Sequence, residues 1–159
     1  PDNASWQAFV DGDILKSVNL IDESFYEPEK ARREAAIERG VYAMRVRVVQ
    51  FPITAYLRWE FETYFAMLRL GEEIRVIEQR DIEDIEEQGR LSDVWLFDSN
   101  FALVPKYSSD GELTGGWQIV EAAALREIFT LSDQLIDRSE PFQSFYARLK
   151  QESDTLTTW

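Results

Sequence analysis

A chain of 159 residues with 45% apolar and 13% aromatic residues is long enough to bury roughly 70% of its unfolded surface in one domain, and its composition excludes disorder. It contains no Cys and no His, which excludes disulfides, thiol nucleophiles, phosphohistidine intermediates, metal sites built on thiolate or imidazole, and every triad that needs an imidazole. The net charge of −13 repels phosphates, so direct nucleic-acid binding is not expected, while a basic protein partner suits the field.

That charge is uneven. Residues 1–40 carry nine acids and five bases, and residues 71–90 carry eight acids and three bases, whereas residues 41–70 carry two acids and four bases. No apolar run approaches the roughly 20 residues of a membrane span. No secretory signal is legible at Pro1, and a chain that begins with Pro is expected to have lost an initiator Met or to have been trimmed. A cytoplasmic protein without cofactor or metal is the expectation.

Residues 5–25 space Trp6, Phe9, Val10, Ile14, Leu15 and Val18 as one or two short helices, with a break at Asp11-Gly12-Asp13. The two aspartates match the start of a calcium loop, but the glycine and closing glutamate that such a loop needs are missing, so the stretch reads as a turn. Pro28 in a first helical turn and Gly40 at a C-terminus bracket a helix. Arg45-Val46-Arg47-Val48-Val49 alternates as a strand within 43–49. Thr54 is a candidate N-cap for a helix over 55–70 that Gly71 closes, with Leu57, Phe61, Phe65 and Leu68 on one face. Leu57, Trp59 and Phe61 also alternate with charges like a strand, and length decides for the helix. Glu73-Ile74-Arg75-Val76-Ile77 is the next strand.

Residues 81–90 form a polar, acidic insertion. Val94-Trp95-Leu96-Phe97 reads as a short buried strand, Asp98-Ser99-Asn100 as a tight turn, and 101–107 as a further strand. A hairpin loop is expected over 108–116 and a last strand over 117–120. Helices over 121–137 and 141–152 finish the chain, followed by a tail from 154 whose terminal Trp159 is free to dock on a neighbour. The fold class is therefore α/β: one domain with a helical part over 1–40, an α/β core over 41–152 holding a small mixed sheet of four to five strands packed by helices, and a tail over 153–159.

Several pieces recur together in a known family. They are Arg45-Val46-Arg47-Val48-Val49 with Pro52 and Tyr56-Leu57-Arg58-Trp59-Glu60, Gly71-Glu72-Glu73-Ile74-Arg75, Asp93-Val94-Trp95-Leu96-Phe97-Asp98, Asp110-Gly111 and Thr114-Gly115. In this order and spacing, from 45 to about 129, the chain resembles an uncharacterised domain family of actinobacterial type, often encoded beside helix-turn-helix regulators. The acidic insertion and the first forty residues lie outside the resemblance. That family in turn looks like a half-unit of the phospholipase-D-like fold, whose active members use a histidine and a lysine. With no His in this sequence, the resemblance implies a fold and a regulatory neighbourhood without the activity.

Arg45 and Arg47 share a strand face, and Arg75 on the next strand and Arg58 on the connecting helix are candidates to join them. Convergent guanidiniums suit a phosphate, nucleotide or carboxylate, with Glu60 and Asp98 at the same site. The plainer reading pairs them with Glu60, Glu62, Glu73 and Asp98 as structural ion pairs, Arg58 and Glu62 standing at helical spacing. Asp98 ends a strand, where it either caps its turn or binds a metal with Glu60 or Asp93. Trp59, Trp95 and Trp117 read as core or interface aromatics.

Three functions follow as expectations. The first is a non-catalytic regulatory or protein-interaction module whose partner, a DNA-binding regulator or a toxin, has a basic surface. Asp81, Glu83, Asp84, Glu86 and Glu87 are the partner-facing candidates. The second is a small-anion or nucleotide sensor using the arginines. The third is a metal-dependent hydrolase built on Glu60, Glu62 and Asp98.

Overall fold

The computed structural model describes residues 4–21, 26–87, 91–98, 100–109 and 111–156, with side chains described except at 28, 29 and 152–156. Two compact units emerge. The first comprises residues 1–78 and 139–159, and the second residues 79–138.

In the first unit, α1 (Ala4–Val10) and α2 (Ile14–Asn19) flank the turn at Asp11-Gly12-Asp13, and Asp13 caps α2 through its carboxylate and the Lys16 N–H at 3.1 Å. The calcium-like aspartates are thus a turn and a cap. α3 (Glu27–Glu38) ends in a Schellman arrangement, with the Gly40 N–H donating to Ile37 O at 2.8 Å and the Val41 N–H to Ala36 O at 3.0 Å.

β1 (Ala43–Val49), α4 (Ala55–Arg69) and β2 (Glu72–Glu78) form a parallel crossover, with Ala43 opposite Glu72 and Val49 opposite Glu78. Thr54 Oγ1 accepts from the Leu57 N–H at 3.2 Å, the expected N-cap. Gly71 closes the helix at φ 79°, a left-handed conformation that favours glycine, and a Cβ there would need only the Ile37 Cδ1 methyl, 2.9 Å away, to shift. A two-residue strand, β6 (Glu140–Pro141), pairs antiparallel to β2 through Arg75 and Val76, and α7 (Phe142–Leu156) follows. The helical period of the last segment conceals β6, since two residues carry no pattern.

Val49, Leu57, Phe61, Tyr64, Ile74, Val76, Phe142 and Phe145 make the core of this unit. Phe61 sits at its centre, with ring centroids 5.4 Å from Phe142 and 5.9 Å from Phe145. Phe65 and Leu68, expected in the core face, are half-buried around it. Trp59 turns another face of α4 to the N-terminal helices. It packs 5.3 Å from Trp6 and 5.7 Å from Phe9, and its indole N–H donates to Ser5 Oγ at 2.9 Å. Ser5 and Ser17 are fully buried and clasp α1 to α2, Ser5 donating to Ser17 O at 2.8 Å and Ser17 to Ser5 O at 2.7 Å.

The second unit opens with a 3-10 turn over Gln79–Ile82 and the single helical turn α5 (Glu83–Glu86), anchored by buried Ile82 and Ile85. An antiparallel sheet follows in the order β3 (Trp95–Phe97), β4 (Phe101–Tyr107) and β5 (Leu113–Ile119), then α6 (Ala122–Arg138). Among the described residues the strands therefore form two three-stranded sheets, one mixed and one antiparallel, instead of one sheet of four to five. β5 also begins four residues before the expected 117, because Gly115 and Gly116 carry loop signals yet pair with Lys106 and Pro105. Among the described residues no helix is long and apolar enough to cross a membrane.

Candidate functional site

Strand register decides what the arginines do. Arg45 and Arg47 stand in β1 opposite Ile74 and Val76, on the face that α4 covers, whereas Arg75 stands opposite Val46 and so on the other face. The expected convergence of Arg45, Arg47 and Arg75 does not occur, because parallel neighbours in register share a face and Arg75 is one residue out of phase.

Each of the three meets a carboxylate. Glu72, at the start of β2, accepts from Arg45 Nε at 3.0 Å and from Arg33 Nη2 at 2.7 Å, with only 5% of its side chain exposed. Arg45 also lies over the Tyr64 ring, 5.5 Å from its centroid. Arg47 Nη2 stands 3.2 Å from Glu60 Oε2. Arg75 donates to Glu73 Oε1 at 3.3 Å and to Ser139 Oγ at 2.8 Å. Arg148 joins Glu78 at 3.0 Å and Glu140 at 2.6 Å in the same way. Arg58 projects from the exposed side of α4, and its expected partner Glu62 instead accepts from the Tyr146 hydroxyl at 3.2 Å. Glu72, Arg33, Glu78 and Arg148 have no signal in sequence beyond their charge, since only the register and the crossover bring them to the arginines and glutamates they meet.

Tyr64 is fully buried beside this network, and no hydrogen bond of good geometry reaches its hydroxyl or Glu60 Oε2. Burial, and then the neighbouring Glu60 carboxylate, push the Tyr64 phenol well above its ordinary range, and burial pushes Tyr26 up to about 12. A phenol with a raised folded pKa contributes stability that is complete below its ordinary value of 10.0 and is lost as the pH rises through the folded value. Ultraviolet titration should therefore show Tyr26 and Tyr64 ionising only near and beyond pH 12, with the melting temperature falling from pH 10 upward. Ionisation of every tyrosine together near pH 10 in the folded protein would contradict this packing.

In the second unit, Asp98 sits in the β3–β4 turn at φ 48°, exposed, with the Asn100 N–H donating to Phe97 O at 3.1 Å. It serves the turn through its backbone conformation. Among the described residues no group of three or more acids is placed to hold a metal.

The acidic run divides. Asp81, Glu83, Asp84 and Glu87 are exposed, whereas Glu86 is half-buried and accepts from Gln79 Nε2 at 2.7 Å. Asp84 receives both Arg138 amino groups, at 2.6 and 2.9 Å, and this contact lowers its pKa. Its ionised form supports the fold above the ordinary value of 3.8, and that support is lost as the pH falls through the lower folded value. Asp84→Asn is accordingly expected to lower the melting temperature slightly, by a difference that salt removes. Neutralising Asp81, Glu83 and Glu87 leaves it equal or higher. The opposite ranking would show that the run is held by contacts other than Arg138.

The sheet of this unit is more exposed than its apolar sequence suggests. Register places Trp95, Phe97, Phe101 and Leu103 on one face. Trp95 is 43% and Phe97 41% exposed, and Phe97 stacks on Phe101 at 4.7 Å. The expected buried strand over 94–97 is thus half open, because an apolar run reports that a residue avoids water without naming what covers it. Trp117 is 61% exposed, so of the three tryptophans only Trp59 belongs to a core. An open groove of about 660 Å³ runs along α6, lined by Asn100, Val120, Leu125, Arg126, Phe129 and Asp133 among others.

Comparison with protein-family models matches residues 1–147 to the family described as Domain of unknown function (DUF6879), and the chain belongs to that family. The match takes in the N-terminal helices and the acidic run, wider than the stretch from 45 to 129 that carries the resemblance in sequence. No curated protein and no solved structure matches the chain.

Proposed function

We propose that this member of the DUF6879 family is a non-catalytic regulatory module that works by binding another protein with a basic surface. The observation that carries the reading is the second unit's exposed aromatic sheet face in an acidic setting. On that face Trp95 and Phe97 are both more than 40% exposed beside Phe101 and Leu103, and residues 79–138 hold thirteen acids against five bases, a net −8. Exposed aromatics gathered on one element are the usual anchors of protein interfaces, and a charge of one sign accelerates encounter with the opposite sign. A helix-turn-helix regulator fits as partner, since a DNA-binding protein carries a basic surface, as does a toxin whose surface is basic, and the regulatory neighbourhood implied by the sequence resemblance points the same way. The phospholipase-D-like relation belongs to this proposal too. The parallel β1–α4–β2 crossover suits such a half-unit, and without a histidine it serves as scaffold.

The alternative, an anion sensor, has less support, because Arg75 lies on the face opposite Arg45 and Arg47 and these three each meet a carboxylate. The test is affinity capture with the full chain, followed by reconstitution with the purified captured protein. The expected partner is basic, and its affinity falls with salt. Neutralising Asp81, Glu83 and Glu87 should flatten that salt dependence. A partner of neutral or acidic surface, bound with no salt dependence, would contradict the proposal.

A further inference from the structure

Among the described residues four strands stand at a sheet edge, and three of them are guarded. In the first unit β1 carries Arg45 and Arg47, and β6 has two residues; in the second unit β3 has three. Charges and shortness are the usual ways of keeping a sheet from adding strands. β5 has neither. Its seven residues, Leu113-Thr114-Gly115-Gly116-Trp117-Gln118-Ile119, contain no charge and no proline, and all but half-buried Ile119 are exposed. A register irregularity at Lys106/Tyr107 touches only its beginning.

We propose that the free edge of β5 receives an extended, basic segment of the partner protein as a fourth strand of the β3–β4–β5 sheet. This deepens the protein-interaction reading and rests on it. Main-chain hydrogen bonds supply attachment in such strand addition, and pockets for alternate side chains supply selectivity. Gly116 is fixed by its neighbour strand, because a Cβ there would stand 2.6 Å from Val104 O. Together with Gly115 it leaves a stretch of the edge without side chains, beside the exposed Trp117 ring that Lys106 overlies at 5.9 Å. A bulky apolar residue of an added strand would cover that gap.

Charge chooses between a second copy and a different chain. Antiparallel self-pairing centred on Gly116 would bring Glu112 of each copy beside Val120 and Glu121 of the other, within two units of net charge −8 each. Like charges so placed oppose pairing, whereas Lys or Arg flanking an apolar centre would answer Glu112 and the unit's field.

The probe is a capped heptapeptide of alternating Lys and Val, added to the full chain while amide hydrogen exchange is followed. Exchange of alternate β5 amides is expected to slow about tenfold or more, and the peptide N-methylated at alternate residues should have no effect. Peptide binding that leaves β5 exchange unchanged overturns the proposal, as does the absence of any effect at peptide excess. A dimer in sedimentation with β5 already protected also overturns it, by assigning the edge to a second copy. The broader reading fails separately: if Trp95→Ser with Phe97→Ser leaves partner capture intact, the aromatic face is not the binding surface, whatever β5 does.

Discussion

Phe61→Ala is expected to unfold the first unit more readily than any other single truncation, by about 4 kcal/mol. Phe61 is fully buried and its ring meets Tyr64, Phe142, Phe145 and Tyr146 at centroid distances from 5.4 Å to Phe142 up to 6.3 Å to Tyr146. Its removal leaves a cavity between α4 and α7 that neither helix can close, because both are tied to β2. At roughly 2–4 °C per kcal/mol the melting temperature should fall on the order of 10 °C. Urea unfolding should show a lower midpoint with the same slope. A loss under about 1 kcal/mol would mean that α7 does not seal this core.

Glu72→Ala should cost about 3 kcal/mol. The carboxylate is nearly enclosed and holds two guanidiniums, and removing one member of a buried pair leaves the others without compensation. The figure stands at the low end of the range for such losses because the Arg45 side chain is 44% exposed and regains water. Glu72→Gln, which keeps an acceptor for one guanidinium, should lose less. If Glu72→Ala is neutral while Arg45 and Arg47 bind an added anion such as inorganic phosphate, the arginines belong to a ligand site after all.

The helices and long strands were legible because each carries its own period. Thr54 and Gly71 delimit α4, and the alternation of Val and Arg defines β1. What periodicity cannot supply is register. Arg75 looks like a companion of Arg45 in a one-dimensional reading, and only the pairing of Arg45 with Ile74 puts it on the opposite face. Glycine misled in a different way. Gly115 and Gly116 signal a loop, yet they lie within β5 because Gly116 must approach the β4 backbone closely. Burial was the third blind point, since Trp95 and Phe97 have the composition of a core strand and stand half open to solvent. The Ser5–Ser17 clasp, finally, joins two polar residues twelve positions apart that no hydrophobic pattern marks.

The most direct test of the functional account is the dissociation constant of the captured partner, measured by titration calorimetry for the wild-type chain and for Trp95→Ser with Phe97→Ser. Both side chains lie on the open sheet face and outside the core of the first unit, so the variant should still fold, with a melting temperature lowered by the loss of the Phe97–Phe101 stack. Loss of two aromatic anchors is expected to raise the dissociation constant at least about a hundredfold, the equivalent of one interface hot spot of 2–3 kcal/mol. An unchanged dissociation constant in the folded variant would contradict the claim that this face is where the protein works.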